Sequence, residues 1–174
     1  MASRRSTLRA GVAMVAAALA GAGCSDRQDS VASNIESVRL GKETFHLELA
    51  LDQPTRFRGL SDRTHIEHDG GMLFVFPSSG VRVQNFVMRD CPIPIDIIFL
   101  DPSARIVAMH EMTVEEPRGA NEQERAYEDR LKRYSSKFAA QFVIELAAGS
   151  LDRLGLKEGD QVPLDAEGLK ARAR

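Results

Sequence analysis

Asp96 stands inside Ile93-Pro94-Ile95-Asp96-Ile97-Ile98-Phe99, an apolar run in which a carboxylate is out of place. A buried charge is costly unless it is paired and hydrogen-bonded, so this residue calls for a cationic partner. His65-Ile66-Glu67-His68-Asp69 sets two histidines three apart beside acids. On one helical turn that spacing could hold a metal. It lacks the spacing of a zinc-protease helix, and a solvated loop before the Asp69-Gly70-Gly71 turn is the plainer reading. Met88, Cys91, Met109, His110 and Met112 are soft or borderline ligands of the kind that hold copper(I). Against this, Met109 and Met112 fall on opposite faces of an expected strand, and methionines commonly fill cores. Cys91, beside Arg89, is either a thiol sharpened by a neighbouring cation or a small buried residue. The chain has no Gly-x-Ser-x-Gly elbow, phosphate-binding Gly-Lys loop or dinucleotide fingerprint. Glu115-Glu116 lies in a charged run that reads as a solvated face.

These side chains need elements to position them. Phe45, Leu47, Leu49 and Leu51 alternate with more polar residues, the period of a half-buried strand, after a shorter strand at Ser37–Leu40. A short helix is expected over Thr55–Arg63, opened by Pro54. Met72–Phe76 and Val81–Met88, joined by Pro77-Ser78-Ser79-Gly80, read as a hairpin. The alternation slips in its second arm, which predicts a bulge near Gln84-Asn85. Pro94–Leu100 and Ala104–Met112 read as a second hairpin, and Phe142–Leu146 as a further strand. Residues 115–137 read as a charged loop with a helical piece over Glu122–Arg133, and Gly149–Leu154 as a short helix or turn. Gln161–Leu164 adds a last extended piece. The fold class expected is mainly β: a compact β-barrel-like or sandwich single domain with one or two short helices.

The N-terminus carries an address. Arg4, Arg5 and Arg9 precede an uncharged run of 14 residues, Ala10–Gly23, and then Cys24. This is a secretory signal in outline, and it is shorter than the roughly 20 apolar residues a spanning helix needs. Ala20-Gly21-Ala22-Gly23-Cys24 resembles a bacterial lipoprotein cleavage box, with Gly21 where Leu is usual. Plain cleavage near Ala20 or Ala22 is the alternative. Ser3-Arg4-Arg5-Ser6-Thr7-Leu8-Arg9 also resembles a twin-arginine export motif, or is simply a basic start. The expected organisation is a signal peptide at 1–23, a lipidated Cys24 with a Ser-rich tether to residue 36, a β-rich domain at 37–165, and a polar tail at 166–174. Lipidation implies the periplasmic side of the envelope. Ser25 avoids the Asp that marks inner-membrane retention in some bacteria and leans toward the outer membrane. Without residues 1–23 the formal charge moves from −2 to −5, which favours neither nucleic acid nor anionic lipid surfaces.

Several strings occur in an order that resembles domain-of-unknown-function family 192. They are Arg58-Gly59-Leu60-Ser61-Asp62-Arg63, Gly71-Met72-Leu73-Phe74-Val75-Phe76, Phe86-Val87-Met88-Arg89-Asp90-Cys91 and Pro92–Phe99. Val143–Gly149 and Gly155–Asp160 continue the likeness over roughly residues 36–165. Val87 stands where Trp is typical and Cys91 where Thr is typical. The resemblance implies a small, compact, often exported β-barrel-like domain of unassigned activity. Arg58 and Arg63 fall in the family's other polar motif and are natural partners for Asp96. One reading is an Arg/Asp pocket for a small polar or anionic ligand, with Met88 and Phe86 along its wall. The other is an ion pair pinning the helix to the barrel. The expected role is therefore a binding or accessory module at the envelope, not an enzyme, with no cofactor. A hydrolase or transferase using the same cluster, or a copper carrier, is the alternative.

Overall fold

The computed structural model of the chain describes residues 34–174. The signal segment, Cys24 and the tether as far as residue 33 lie outside the described residues. Strand β1 (Ile35–Leu40) turns at Gly41-Lys42 into β2 (Glu43–Ala50), where Gly41 takes φ +57°. A left-handed turn position of this kind costs least when glycine holds it. Val38, Leu40, Phe45, Leu47 and Leu49 are buried on one face, as the alternation requires. Helix α1 (Gln53–Arg58) begins at Asp52, whose side chain accepts the Thr55 N–H, and ends at Gly59. It carries the chain over so that β3 (Gly70–Val75) pairs parallel with β2.

The next strands are β4 (Arg82–Phe86), β5 (Ile95–Leu100), β6 (Ile106–Met112), β7 (Tyr134–Ala140) and β8 (Phe142–Ala147). The helices α2 (Glu124–Arg130), α3 (Ser150–Leu154) and α4 (Ala166–Arg172) complete the elements. Strands β1, β2, β3, β8, β5 and β6 form one sheet in that order, and β4 pairs with β7 in a separate ribbon. The central strands β3, β5 and β8 are apolar runs, as strands buried on both faces are, interrupted only by Asp96 in β5 and Glu145 in β8. One face packs Leu73, Ile98, Ile144 and Leu146 beneath the C-terminal segment, including Leu151, Leu154 and Leu169. The other packs Phe74, Ile97, Phe99 and Val143 beneath the ribbon and two loops, including Tyr134, Met88 and Leu60. The fold is mainly β and sandwich-like, with eight strands, four short helices and no closed barrel among the described residues. No described helix is long and apolar enough to cross a membrane.

The β5–β6 hairpin and the bulge behave as expected, with the β4 register shifting between Val83 and Asn85. The β3–β4 hairpin does not form. After Phe76, whose N–H donates to the Gln141 carbonyl, a 3-10 turn at Ser78–Gly80 takes the chain out of the sheet. The vacated edge of β3 receives β8, and β4 finds β7 instead. Part of the expected charged loop is therefore strand β7. The expected helix over Thr55–Arg63 stops at Arg58. The polar tail is also corrected. Asp165 accepts the Gly168 N–H to start α4, which buries Leu169 in the core, and the Arg174 N–H donates to the Leu51 carbonyl.

Truncating a buried leucine typically costs about 2–5 kcal/mol, whereas truncating one on a fraying tail costs close to nothing. Leu169→Ala is expected to lower stability by an amount in that range. Urea unfolding should show a lower midpoint with an unchanged slope. An unchanged midpoint would show that the C-terminal helix is not part of the cooperative unit.

Candidate functional site

Asp96 lies in the middle of β5 and is fully buried, on the face covered by the C-terminal segment. Its Oδ2 accepts the Leu151 N–H at 2.8 Å, at the start of α3. Burial pushes its carboxyl above the ordinary range, and the Leu151 and Ser150 N–H groups work against that. Oδ1 has no hydrogen-bond partner. No arginine acts on it. Arg63 pairs with Glu48 on β2 at 2.7 Å, and Arg58 makes no ion pair. The expected Arg58–Arg63–Asp96 cluster is not assembled, because alternation along β5 aims Asp96 at the face away from α1 and its loop. The residue ties α3 to the sheet.

The acid that faces the other way is Glu145, in the middle of β8. It is opposite Met72 of β3 on one side and Ile97 of β5 on the other. Its side chain is 5% exposed, and its Oε2 has no hydrogen-bond partner. Burial pushes its pKa up to about 8, eased only by the Leu60 N–H. No cation pairs with it among the described residues, so holding a proton is the less costly state. Burial thus favours the protonated form of Glu145, whose hydroxyl can donate.

Around it opens a pocket of about 580 Å³. Leu60, Phe74, Phe86, Cys91 and Ile95 supply apolar wall. Phe86 meets Phe74 and Phe99 edge to face, with centroids 5.2 and 5.6 Å apart, which holds its ring in one orientation. Gly59 closes one side with φ +53°. A Cβ there would lie 3.3 Å from the Phe74 ring and 3.5 Å from Glu145 Oε2. The bulge in β4 brings Gln84 into the lining. Its N–H donates to Ser136 Oγ and its Nε2 to the Gly80 carbonyl.

Four arginines, Arg56, Arg58, Arg82 and Arg89, also line the pocket. Two are committed to structure. Arg56 donates to the carbonyls of Leu51, Val75 and Arg174. Arg89 pairs with Glu128 at 3.2 Å, donates to the Phe57 carbonyl at 2.7 Å, and lies 3.7 Å over the Phe57 ring. Ser61 Oγ donates to the Arg89 carbonyl and the Asp62 N–H to the Asp90 carbonyl, which fastens the two loops together. Arg58 and Arg82 are exposed, and their guanidinium groups have no ion pair or hydrogen bond among the described residues.

Of the five expected ligand-binding residues, Arg58 and Phe86 line this pocket. Met88 is packed in the core and, like Arg63 and Asp96, does not. Glu145 and Arg82 were missed. Glu145 carried the same signal as Asp96, an acid within an apolar strand, Phe142-Val143-Ile144-Glu145-Leu146. Cys91 lies in the wall, and burial pushes its thiol up, which makes it a poor nucleophile. The soft-ligand set is divided. Met109 packs with the opposite core, and His110 Nε2 is 2.8 Å from the Ser135 carbonyl oxygen. His65 and Glu67 form an exposed pair. No group of three or more His, Cys, Asp or Glu among the described residues is placed to hold a metal.

The DUF192 family model, described as an uncharacterized ACR, matches residues 36–164. Among solved structures, the chain is similar to a proposed transcription regulator from Sinorhizobium meliloti, at 26% identity and a TM-score of 0.56. That match covers 73% of this chain and 89% of the other. A Novosphingobium aromaticivorans protein of unknown function matches at 24% identity with a TM-score of 0.60, over 75% and 85% of the two chains, and shows the fold alone. No curated protein matches.

An acid whose folded pKa lies above its unfolded value binds more protons when folded. Glu145 therefore makes stability fall as pH rises from about 4.5 to about 8, and the loss then levels off. Glu145→Gln is expected to remove this slope. Denaturant melts across pH should find the variant more stable than the parent above about pH 8, with the gap closing toward about pH 4.5. Parallel curves for the two proteins would show that Glu145 does not hold a raised proton.

Proposed function

Since the chain belongs to the DUF192 family of uncharacterized proteins, whose membership supplies a fold and no activity, we propose from the pocket itself that this is a small-ligand-binding module. The observation that carries the reading is Glu145, a buried acid with one oxygen unpartnered in the wall of a pocket. A group left unsatisfied inside a protein costs stability, and a ligand atom that completes it recovers that cost. The free guanidinium groups of Arg58 and Arg82 add attraction for an anion. The volume is within the range of pockets that hold small molecules, about 300–1,000 Å³.

In this reading the module is an accessory protein of the envelope, held on the periplasmic side by lipid on Cys24 and, by the Ser25 argument, resident at the outer membrane. Each buried methylene of an acyl chain contributes about 0.8 kcal/mol, so several chains retain a soluble domain at a bilayer. The hydrolase or transferase alternative rested on an Arg/Asp cluster that the fold does not assemble. The net charge of −5 outside residues 1–23 does not favour the nucleic-acid contact of a transcription regulator.

Two measurements test the proposal. Small organic anions are expected to raise the melting temperature of the purified full-length chain. The Arg58→Ala/Arg82→Ala double variant should fold normally and lose about tenfold in affinity or more. Shifts that persist unchanged in the double variant would place binding elsewhere. In cells fed an alkynyl fatty acid, the chain is expected to take up label and fractionate with membranes. Cys24→Ser should abolish both, and unchanged labelling of that variant would rule out the anchor.

A further inference from the structure

The pocket is polarised, and the polarity selects a ligand. Its wall holds one acid that no group among the described residues completes, Glu145, set among Leu60, Phe74, Phe86 and Ile95. Its lining also holds two exposed guanidinium groups with no partner among the described residues, on Arg58 at the end of α1 and Arg82 at the start of β4. From this geometry we infer that the ligand is an amphipathic organic acid. Its anionic group sits against Arg58 and Arg82, its apolar body lies along Phe74 and Phe86, and a neutral acceptor such as a carbonyl oxygen at its inner end takes a hydrogen bond from the Glu145 carboxylic acid. This inference rests on the binding-module reading and specifies the chemistry of that same site.

The charges facing the pocket decide between ligand classes. From α1 come Arg56 and Arg58. From the loop after β4 comes Arg89, neutralised by Glu128 of α2. From β4 comes Arg82, from β8 Glu145, and from the loop before β5 the neutral thiol of Cys91. The balance is positive, so an ammonium group would be repelled by the arginines before reaching the one uncompensated acid. A bare inorganic anion satisfies the arginines and leaves Glu145 and the aromatic wall unused. A purely apolar ligand leaves both polar features without a partner. Only a molecule with a charged end, an apolar middle and an acceptor matches all three. A carboxylate and a phosphate ester share the anionic chemistry, and they are separated below.

The test uses para-acetylbenzoate, para-ethylbenzoate, acetophenone, para-acetylbenzylamine and para-acetylphenyl phosphate as probes, by calorimetric titration of the full-length chain. Para-acetylbenzoate is expected to bind about tenfold tighter than para-ethylbenzoate, which lacks the acceptor, and about tenfold tighter than acetophenone, which lacks the charge. The amine is expected not to bind. A tighter phosphate than carboxylate would identify a phosphate ester as the source of the anion and support the same arrangement. Glu145→Leu should erase the acetyl-over-ethyl preference while keeping the preference for acid over ketone. Arg58→Ala/Arg82→Ala should do the reverse. Glu145→Gln, which still donates from its amide, should keep the acetyl preference, and only the parent should lose it as pH rises past about 8. Equal binding of the acetyl and ethyl acids, or binding of the amine, overturns this inference and leaves the pocket a binding site. Failure of every probe to bind, together with no thermal shift from any organic anion, overturns both.

Discussion

A carboxyl group fixed at the centre of a six-stranded sheet is the constraint on which the rest of this structure turns. Glu145 cannot swing out to water, because β8 is hydrogen-bonded to β3 on one side and to β5 on the other. Desolvation disfavours its charge, no arginine stands close enough to compensate, and it keeps a proton. Its neighbours conform to it. Gly59, at φ +53°, has no Cβ where one would press on the Phe74 ring beside the carboxyl group, and the next residue, Leu60, supplies its N–H to that group. Gly71 has no side chain where the Glu145 carbonyl approaches, since a Cβ there would overlap that oxygen.

The sheet also separates two acids by face. Asp96 and Glu145 sit on adjacent strands, one register step apart, with Asp96 opposite Leu146 and Glu145 opposite Ile97. Asp96 points to the C-terminal side, where the first N–H groups of a short helix meet one of its oxygens. Glu145 points to the loop side, where one N–H is available and the rest is apolar wall. The same chemical problem thus has a structural answer on one face and an open one on the other.

Much of this was legible in the sequence, and the exceptions share a cause. Alternation in Phe45–Leu51, the apolar runs of β5 and β8, and the slip at Gln84-Asn85 are local patterns, and each is realised. The partners of β3 and β4 are not local. Adjacency across Pro77–Gly80 favoured a hairpin, while the actual neighbours lie 48 to 75 residues further on. Helix α4 was hidden because one leucine in a polar stretch gives no periodicity. At the site, the sequence showed two acids in apolar strands and gave no means of saying which faced the arginine-bearing loop. Parity along a strand is visible only once the layers on each face are known. Arg58 and Phe86 were found because their motifs flank the pocket; Arg63 was drawn off by Glu48, a neighbour that only the parallel β2–β3 pairing brings near.

The position of β8 has a consequence for biosynthesis. The sheet order places this late strand between β3 and β5, so the halves β1–β2–β3 and β5–β6 share no edge until residues 142–147 have been made. Helix α4, which covers one face, follows that strand in sequence. The chain must be made as far as residue 147 before the middle of the sheet exists, and pairings this distant in sequence form slowly. A nascent chain built in this order carries two open-edged half-sheets until that strand arrives.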